Sequence, residues 1–211
     1  MLERLIQIDQ EWLLAINGWH SEWADSLMWI ISRPGTWIPL YLVLVGLLVW
    51  RYGYKRWYMA LLAVAAIGLA AGLSDYISSG IIKHLVCRPR PTHEPAIENL
   101  LHIVRGYRGG AYGFVSSHAA NTMAVATTFS LIWRHLTAQQ FGRAQGVSSI
   151  GVAAVLYLWC AANCYSRMYL GVHYPGDILG GLLVGGLVAG ALFLLWRRAA
   201  AAADRAKPAC S

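Results

Sequence analysis

The chain has 211 residues and a formal net charge of +7, and 57% of its residues are hydrophobic while only 13% are charged. Soluble domains carry about 25% charged residues, so this composition excludes an ordinary soluble domain. It indicates an integral membrane protein with one domain. The positive charge suits an anionic lipid or an anionic substrate, and the membrane character argues against nucleic acid as a partner.

The N-terminal region does not contain a complete membrane span. Residues 2–19 alternate apolar and polar side chains at helical spacing, which predicts a helix lying at the membrane interface. Residues 23–35 are more apolar, but they are too few to span and they end at Pro34-Gly35. Together these two stretches predict a sixth membrane helix that is broken or interfacial.

Five longer apolar segments follow, and each is a candidate for a spanning helix of about 20 residues. They are Thr36–Trp50, Trp57–Ile82, His118–Trp133, Val147–Tyr165 and Tyr174–Trp196. The predicted fold class is therefore all-α, a polytopic membrane helix bundle with five spanning helices and the N-terminal sixth. Residues 1–198 should form a single membrane domain, and residues 199–211 a disordered, solvated tail.

The basic residues predict the orientation, because cytoplasmic loops are enriched in Lys and Arg. Three clusters fall on one side if the segments alternate, and we expect that side to be cytoplasmic: Arg51, Lys55 and Arg56; Arg134 and Arg143; Arg197, Arg198, Arg205 and Lys207. The segment 83–117 is also basic but falls on the opposite side, in conflict with the rule. A bound anion would explain that conflict, and the site would face the periplasm or exterior of a plasma (inner) membrane.

The stretch SRMYLGVHYPGD, Ser166 to Asp177, places polar groups between two apolar segments. Pro175 is typical of a first helical turn, so His173 lies just before a helix and Asp177 lies in its first turn. A spacing of four puts both on one side, where Asp177 can fix the tautomer of His173 and leave the other ring nitrogen as a nucleophile or general base. Arg167 offers a planar fork that suits phosphate oxygens. A capping aspartate and a lipid-facing arginine remain the structural alternatives.

Two further stretches lie on the same predicted side. Ser116 and Ser117 are candidate N-cap residues of the third segment, and a helix N-terminus is an anion site. His118 follows in the first turn and could protonate a leaving oxygen. Lys83 and Arg90, near the end of the second segment, could neutralise a phosphate and the charge of its transition state. Plain capping serines and a basic membrane flank are the alternatives.

The three stretches together resemble the type 2 phosphatidic acid phosphatases, whose signature is KxxxxxxRP, PSGH and SRxxxxxHxxxD. The first part reads Lys83 to Pro91 and the third Ser166 to Asp177, and both have the full spacing. The second part departs from the pattern, because Val115 replaces Pro and Ser117 replaces Gly. The resemblance covers roughly residues 57–197.

The resemblance implies a metal-independent phosphatase without a cofactor. His173 would attack phosphorus to form a phosphohistidine, Asp177 would orient and activate His173, and His118 would protonate the leaving oxygen. The phosphoryl oxygens would be held by Lys83, Arg90, Ser116, Arg167 and the Ser117 amide.

The substrate is expected to be a lipid phosphate or diphosphate whose chain stays in the bilayer. Spare positive charge favours undecaprenyl diphosphate, with Arg88 and His84, and beyond them Arg105 and Arg108, as candidates for holding a second phosphate. Phosphatidylglycerophosphate and lipid A phosphatases are the alternatives within the enzyme class. A non-catalytic lipid-binding membrane protein and a vanadate-dependent haloperoxidase are alternatives of other classes. The sequence does not indicate the oligomeric state.

Overall fold

The computed structural model describes residues 2–141 and 146–205, and their regular structure is entirely helical. A single isolated bridge, between Pro89 and Tyr112, is the one strand-like pairing in these ranges. The prediction of an all-α fold is therefore confirmed. The helices are α1 Leu2–Gly18, α2 Glu22–Ser32, α3 Ile38–Tyr52, α4 Trp57–Asp75, α5 Lys83–Val86, α6 Ser117–Phe141, α7 Gly146–Tyr169 and α8 Pro175–Arg205.

Helix α6 is the central helix of the bundle, packed against α4, α7 and α8. Small residues allow α8 to lie unusually close to it. A Cβ at Gly181 would come within 2.4 Å of the Ser116 carbonyl oxygen, and one at Gly185 within 2.2 Å of the Ala120 carbonyl oxygen. Since real Cβ atoms do not approach so closely, the close contact depends on glycine. It brings the N-terminal ends of α6 and α8 together.

Four helical stretches of the described residues are long and apolar enough to cross a membrane: Pro34–Tyr52, Trp57–Val86, Ser149–Tyr169 and Pro175–Arg205. The predicted count of five or six spans is not confirmed. The predicted segment His118–Trp133 lies within α6, and α6 is not among these four stretches. Its side chains include buried Thr122, Thr128 and Thr137, because protein surrounds this helix and it does not need an apolar surface toward lipid.

The N-terminal region forms two helices, as the predicted break implied, and neither is long enough to span alone. Helix α1 buries Leu13 and Asn17, and the Asn17 side-chain amide donates to the Tyr169 carbonyl at 2.7 Å. At the other terminus α8 continues to Arg205, with Ala200 buried and Asp204 paired with Arg56. Residues 199–205 are thus helical where the composition predicts a disordered tail, and residues 206–211 lie outside the described residues.

A wide helical turn precedes Lys83. Residues Tyr76–Ile82 form a π-helical segment between α4 and α5, and the backbone N–H of Lys83 donates to the Ser78 carbonyl, five residues back. The Ser78 hydroxyl donates to the Ser74 carbonyl at 2.6 Å. Such segments inside α-helices are rare and often occur at functional sites.

Candidate active site

The three predicted stretches meet at one end of the bundle. The backbone N–H of Ser116 donates to the Asp177 carbonyl at 2.9 Å, which joins the second stretch to the third. Arg90 Nη1 donates to His173 Nε2 at 3.3 Å, which joins the first to the third. Lys83 Nζ lies 3.5 Å from the Ser117 hydroxyl, which joins the first to the second. All eight residues predicted to contact phosphate or react therefore lie in one region.

His173 and Asp177 form a buried pair, with 1% and 0% of their surfaces exposed. Helix α8 begins at Pro175, as predicted, so Asp177 lies in its first turn. His173 Nδ1 donates to Asp177 Oδ2 at 3.3 Å, and Oδ2 also accepts from the Tyr174 backbone N–H at 3.1 Å. With Nδ1 protonated, Nε2 keeps a lone pair, which is the state that a nucleophile or base needs.

The surroundings of His173 disfavour its protonated form. Burial lowers the pKa of His173 well below its ordinary value, and the positive charges of Arg90, Arg167 and Lys83 lower it further. The imidazole is therefore neutral at physiological pH. Burial and the charge of Arg167 lower the pKa of Arg90 as well, which reflects how closely the cations are gathered.

Arg167 lies on α7 with 3% of its surface exposed. One terminal nitrogen donates to the Ser32 hydroxyl, and the other donates to the Tyr107 hydroxyl at 3.1 Å. Its Nε is buried and has no hydrogen-bond partner among the described residues. A buried guanidinium nitrogen left without a partner costs free energy unless a ligand accepts its hydrogen bond.

The site carries an excess of positive charge. Within residues 2–141 and 146–205, no carboxylate forms an ion pair with Lys83, Arg90 or Arg167. Three cations near a helix N-terminus form a strong anion site. Ser116 caps that helix, because its hydroxyl accepts from the Ala119 backbone N–H at 3.4 Å.

The altered second motif has a structural explanation. Val115 is 2% exposed and packs against α8, where a Cβ at Gly180 would lie 2.5 Å from its Cγ1. The Ser117 hydroxyl lies within reach of Lys83 Nζ. Valine thus fills the space beside a glycine of α8, and the serine that replaces glycine contacts a predicted phosphate ligand.

Three of the four residues predicted to hold a second phosphate, Arg88, Arg105 and Arg108, have other contacts. Arg88 donates to Asp177 Oδ1 at 3.0 Å and to Asp9 Oδ2 at 2.7 Å, so both terminal nitrogens already serve carboxylates. His84 is exposed on α5. Arg108 donates to the Thr92 carbonyl at 3.1 Å, and the Arg105 guanidinium lies 5.5 Å from the centre of a Trp29 ring. Arg88 thus contacts Asp177 and Asp9 in the structure, and its second-phosphate role stays a prediction.

Sequence reasoning missed three residues that contact the site. Ser32, at the end of α2, accepts from Arg167 through its hydroxyl and from His118 Nε2 through its carbonyl at 3.3 Å. The Tyr107 hydroxyl accepts from Arg167. Burial alone would raise the pKa of Tyr107, but the positive charge of Arg167 outweighs that effect and the pKa is lowered. Asp9 contacts Arg88. Each is a single polar residue without a spacing pattern, so no local signal could have found it.

The sequence profile of the PAP2 superfamily matches residues 57–201, which contain all three stretches. The chain belongs to the PAP2 superfamily. The chain is also 35% identical, over 88% of its length and 76% of the relative's, to a lipid A 4'-phosphatase of Bacteroides thetaiotaomicron. It is 30% identical, over 82% of its length and 77% of the relative's, to an Escherichia coli protein provisionally named undecaprenyl-diphosphatase YbjG.

The fold of this PAP2 chain also has solved counterparts. A PAP2-type phosphatidylglycerolphosphate phosphatase from Bacillus subtilis superposes with a TM-score of 0.62, covering 98% of this chain and 89% of that structure at 20% identity. The match in family and relatives makes this PAP2 protein a membrane lipid phosphatase. The enzyme class is therefore favoured over a non-catalytic lipid-binding protein.

Proposed function

We propose that this PAP2 protein removes a phosphate monoester from a lipid headgroup, with lipid A as the substrate class, through a phosphohistidine on His173. In the first step the Nε2 lone pair of His173 attacks phosphorus while the bond from phosphorus to the leaving oxygen breaks. Asp177 accepts from Nδ1 and stabilises the imidazolium character that develops. Arg90, which donates to Nε2 at 3.3 Å without substrate, turns its N–H groups to the phosphoryl oxygens.

The leaving oxygen takes a proton from His118, and water then attacks the phosphohistidine. In that second step the P–N bond breaks, His118 accepts the water proton, and inorganic phosphate leaves. Lys83, Arg167, Ser116 and the Ser117 amide hold the phosphoryl oxygens and offset the charge of both transition states. The unpartnered Nε of Arg167 is the best-placed donor for one of these oxygens.

One observation carries the preference for a monoester. Arg88, the strongest candidate for a second phosphate, has both terminal nitrogens bound by carboxylates. Lys83, Arg90, Ser116 and Arg167 are all proposed to hold a single phosphate group. The 35% identity to a lipid A 4'-phosphatase supports the same substrate class.

Phosphate release from matched lipids by the purified, detergent-solubilised protein tests this proposal. With chelator present, we expect lipid A bisphosphate to lose one phosphate. Mass spectrometry should locate this loss at the 4' position. Undecaprenyl diphosphate and phosphatidylglycerophosphate should be hydrolysed at least about tenfold less efficiently, which corresponds to about 1.4 kcal/mol. Equal turnover of all three lipids would contradict the preference, and equal activity of His173→Ala would contradict the mechanism.

A second candidate substrate, undecaprenyl diphosphate, is favoured by the relative from Escherichia coli and by the net positive charge. This substrate requires donors other than Arg88 for its second phosphate, because both terminal nitrogens of Arg88 bind carboxylates. If that lipid is the better substrate, Arg108→Ala should reduce its turnover while leaving that of lipid A unchanged. If Arg108→Ala has no effect on either lipid, this cation does not hold the second phosphate.

We also propose that the site faces the periplasm or exterior of the inner membrane. Arg51, Arg56, Arg134 and Arg197 lie near the other end of the helices, where a cytoplasmic surface would place them. Cys87 is exposed on the site side, and Cys160 and Cys164 are buried. In intact cells a membrane-impermeant maleimide should therefore label a Cys210→Ser variant at Cys87. Labelling only after permeabilisation would reverse the orientation.

A further inference from the structure

The N-terminal helix α1 reaches the active site through one carboxylate. We propose that Asp9 is a positioning residue that fixes Arg88 and the first turn of α8, and through them the orientation of Asp177 toward His173. The inference rests on the proposed phosphohistidine function. Asp9 lies outside the residues matched by the family profile, 57–201, so the family pattern does not assign it.

Asp9 makes two short hydrogen bonds to separate elements. Its Oδ2 accepts from Arg88 Nη2 at 2.7 Å, and its Oδ1 accepts from the Gly176 backbone N–H at 2.7 Å. The first is a charge-assisted bond to the loop after α5. The second places a carboxylate at the N-terminus of α8, where the helix dipole favours negative charge. One side chain therefore connects α1 to both elements that carry the site.

Arg88 transmits this connection to the reacting pair. Its Nη1 donates to Asp177 Oδ1 at 3.0 Å, while Asp177 Oδ2 accepts from His173 Nδ1 and the Tyr174 N–H. Arg88 also lies over the Tyr174 ring, with its guanidinium carbon 4.0 Å from the ring centre. Since Asp177 is fully buried, the direction of its Oδ1 depends on where Asp9 holds Arg88.

The local backbone is adapted to this contact. A Cβ at Gly176 would lie 2.9 Å from Asp9 Oδ2, so a side chain there would displace the carboxylate. The side chains of Asp9 and Arg88 are only 14% and 23% exposed, which reduces screening by solvent. The geometry thus favours a persistent contact over a transient surface pair.

The decisive comparison is Asp9→Asn against Glu11→Gln. Asparagine can still accept from the Gly176 N–H but loses the charge that holds Arg88, whereas Glu11 is exposed on the same helix. On lipid A bisphosphate in detergent micelles, Asp9→Asn should lower kcat by about 10- to 100-fold, the range expected for the loss of one charge-assisted hydrogen bond. KM should change less than about threefold, because uniform substrate binding is retained. Glu11→Gln should match wild type.

Two further variants separate positioning from a general structural effect. Asn17→Ala removes another anchor of α1, its hydrogen bonds to the backbone of Tyr169 and His102, without touching Arg88. Its kcat should stay within about threefold of wild type, and an equal loss in Asn17→Ala and Asp9→Asn would overturn the inference. Adding Asp9→Asn to Arg88→Gln should cost no further activity, because Asp9 acts through Arg88, and multiplicative losses would contradict that route.

A readout independent of turnover keeps the inference separate from the proposed function. The ring ¹⁵N signals of His173 report its tautomer and its hydrogen bond to Asp177. We expect Asp9→Asn to shift these signals and Glu11→Gln to leave them unchanged. Unchanged signals in folded Asp9→Asn would overturn the role of Asp9, whereas shifted signals in a protein that hydrolyses no lipid phosphate would defeat the proposed function alone.

Discussion

The two N-terminal helices, residues 2–32, and the family portion, residues 57–201, contribute different kinds of groups to the site. The family portion supplies every group proposed to touch phosphate, from Lys83 to His173. The N-terminal helices supply partners for those groups, with Asp9 on Arg88 and Ser32 on Arg167 and His118. In this chain the catalytic motifs supply the reacting groups, and another part of the chain supports them.

The N-terminal helices also support the loop that carries His173. Asp25 on α2 accepts from the Tyr169 hydroxyl at 2.6 Å and pairs with His102 Nε2 at 2.8 Å. Burial alone would raise the pKa of Asp25, but the hydrogen bonds from Tyr169 and His102 lower it. Asp25 therefore remains ionised at neutral pH and ties α2 to the end of α7, just before residues 170–174.

The largest expected effect tests whether the family portion carries the chemistry. His173→Ala should reduce lipid phosphate release by about 10⁴-fold or more, since removing a nucleophile leaves only binding and electrostatic contributions. Phosphate release in micelles measures this, and rapid quenching of the wild-type enzyme with ³²P-labelled substrate should trap a label that is labile in acid and stable in base, as expected of a phosphoramidate on His173. A labelled phosphoenzyme in His173→Ala would place the nucleophile elsewhere.

The next prediction concerns the stability of the helix contact at the centre of the family portion. Gly185→Ala should lower the free energy of unfolding by about 1–3 kcal/mol, because its Cβ would meet the Ala120 carbonyl at 2.2 Å. Gly190, on the same helix, has no atom within 4 Å of an added Cβ, so Gly190→Ala should be neutral or stabilising by up to about 1 kcal/mol. Thermal unfolding in detergent compares them, and equal midpoints would contradict the close α6–α8 contact.

A smaller effect tests the support from α2. Ser32→Ala removes the hydroxyl that accepts from Arg167, and kcat/KM should fall by roughly tenfold, since hydrogen bonds to charged groups are worth about 1.5–3 kcal/mol. Ser21→Ala is the matched control, because Ser21 caps the other end of α2, where its hydroxyl accepts from the Ala24 N–H. Equal kinetic losses in both variants would mean that α2 acts only through its stability.

The smallest expected effect is a shift in the titration of His173. Because burial and neighbouring cations lower the pKa of His173, its ring should stay unprotonated as the pH falls through 6.5. Arg90→Gln removes one cation, so protonation becomes easier and the midpoint should rise; Ser32→Ala should leave it unchanged. Titration of the ring ¹⁵N signals measures both midpoints, and a wild-type midpoint at or above 6.5 would contradict the electrostatic description.

The spacing of polar residues predicted much of the site. Pro175 predicted the start of α8, and the interval from His173 to Asp177 predicted one helical turn of separation. The serines predicted the start of α6, which begins at Ser117 with Ser116 as its cap. These features depend on local backbone rules, so the sequence alone contains the information.

The remaining features depend on contacts between distant parts of the chain. The apolar residues of His118–Trp133 predicted a lipid-spanning helix. In the structure, neighbouring helices bury the threonines of α6, and a hydropathy pattern carries no information about burial by other helices. The charge of Arg88 predicted a contact with a second phosphate, and nothing in the sequence indicated its ion pair with Asp9, 79 positions away. A long-range ion pair leaves no periodic trace, and only the packed structure reveals it.

The π-helical segment Tyr76–Ile82 has a consequence for the length of this helix. A π-helical turn holds one more residue than an α-helical turn. If the same residues formed a regular α-helix instead, everything that follows would be rotated by about 100° around the helix axis. Lys83 is the first residue beyond it and would then point away from Ser117. Deleting one residue of the segment would cancel that rotation, so the π-helical turn accommodates an extra residue while keeping Lys83 directed toward Ser117.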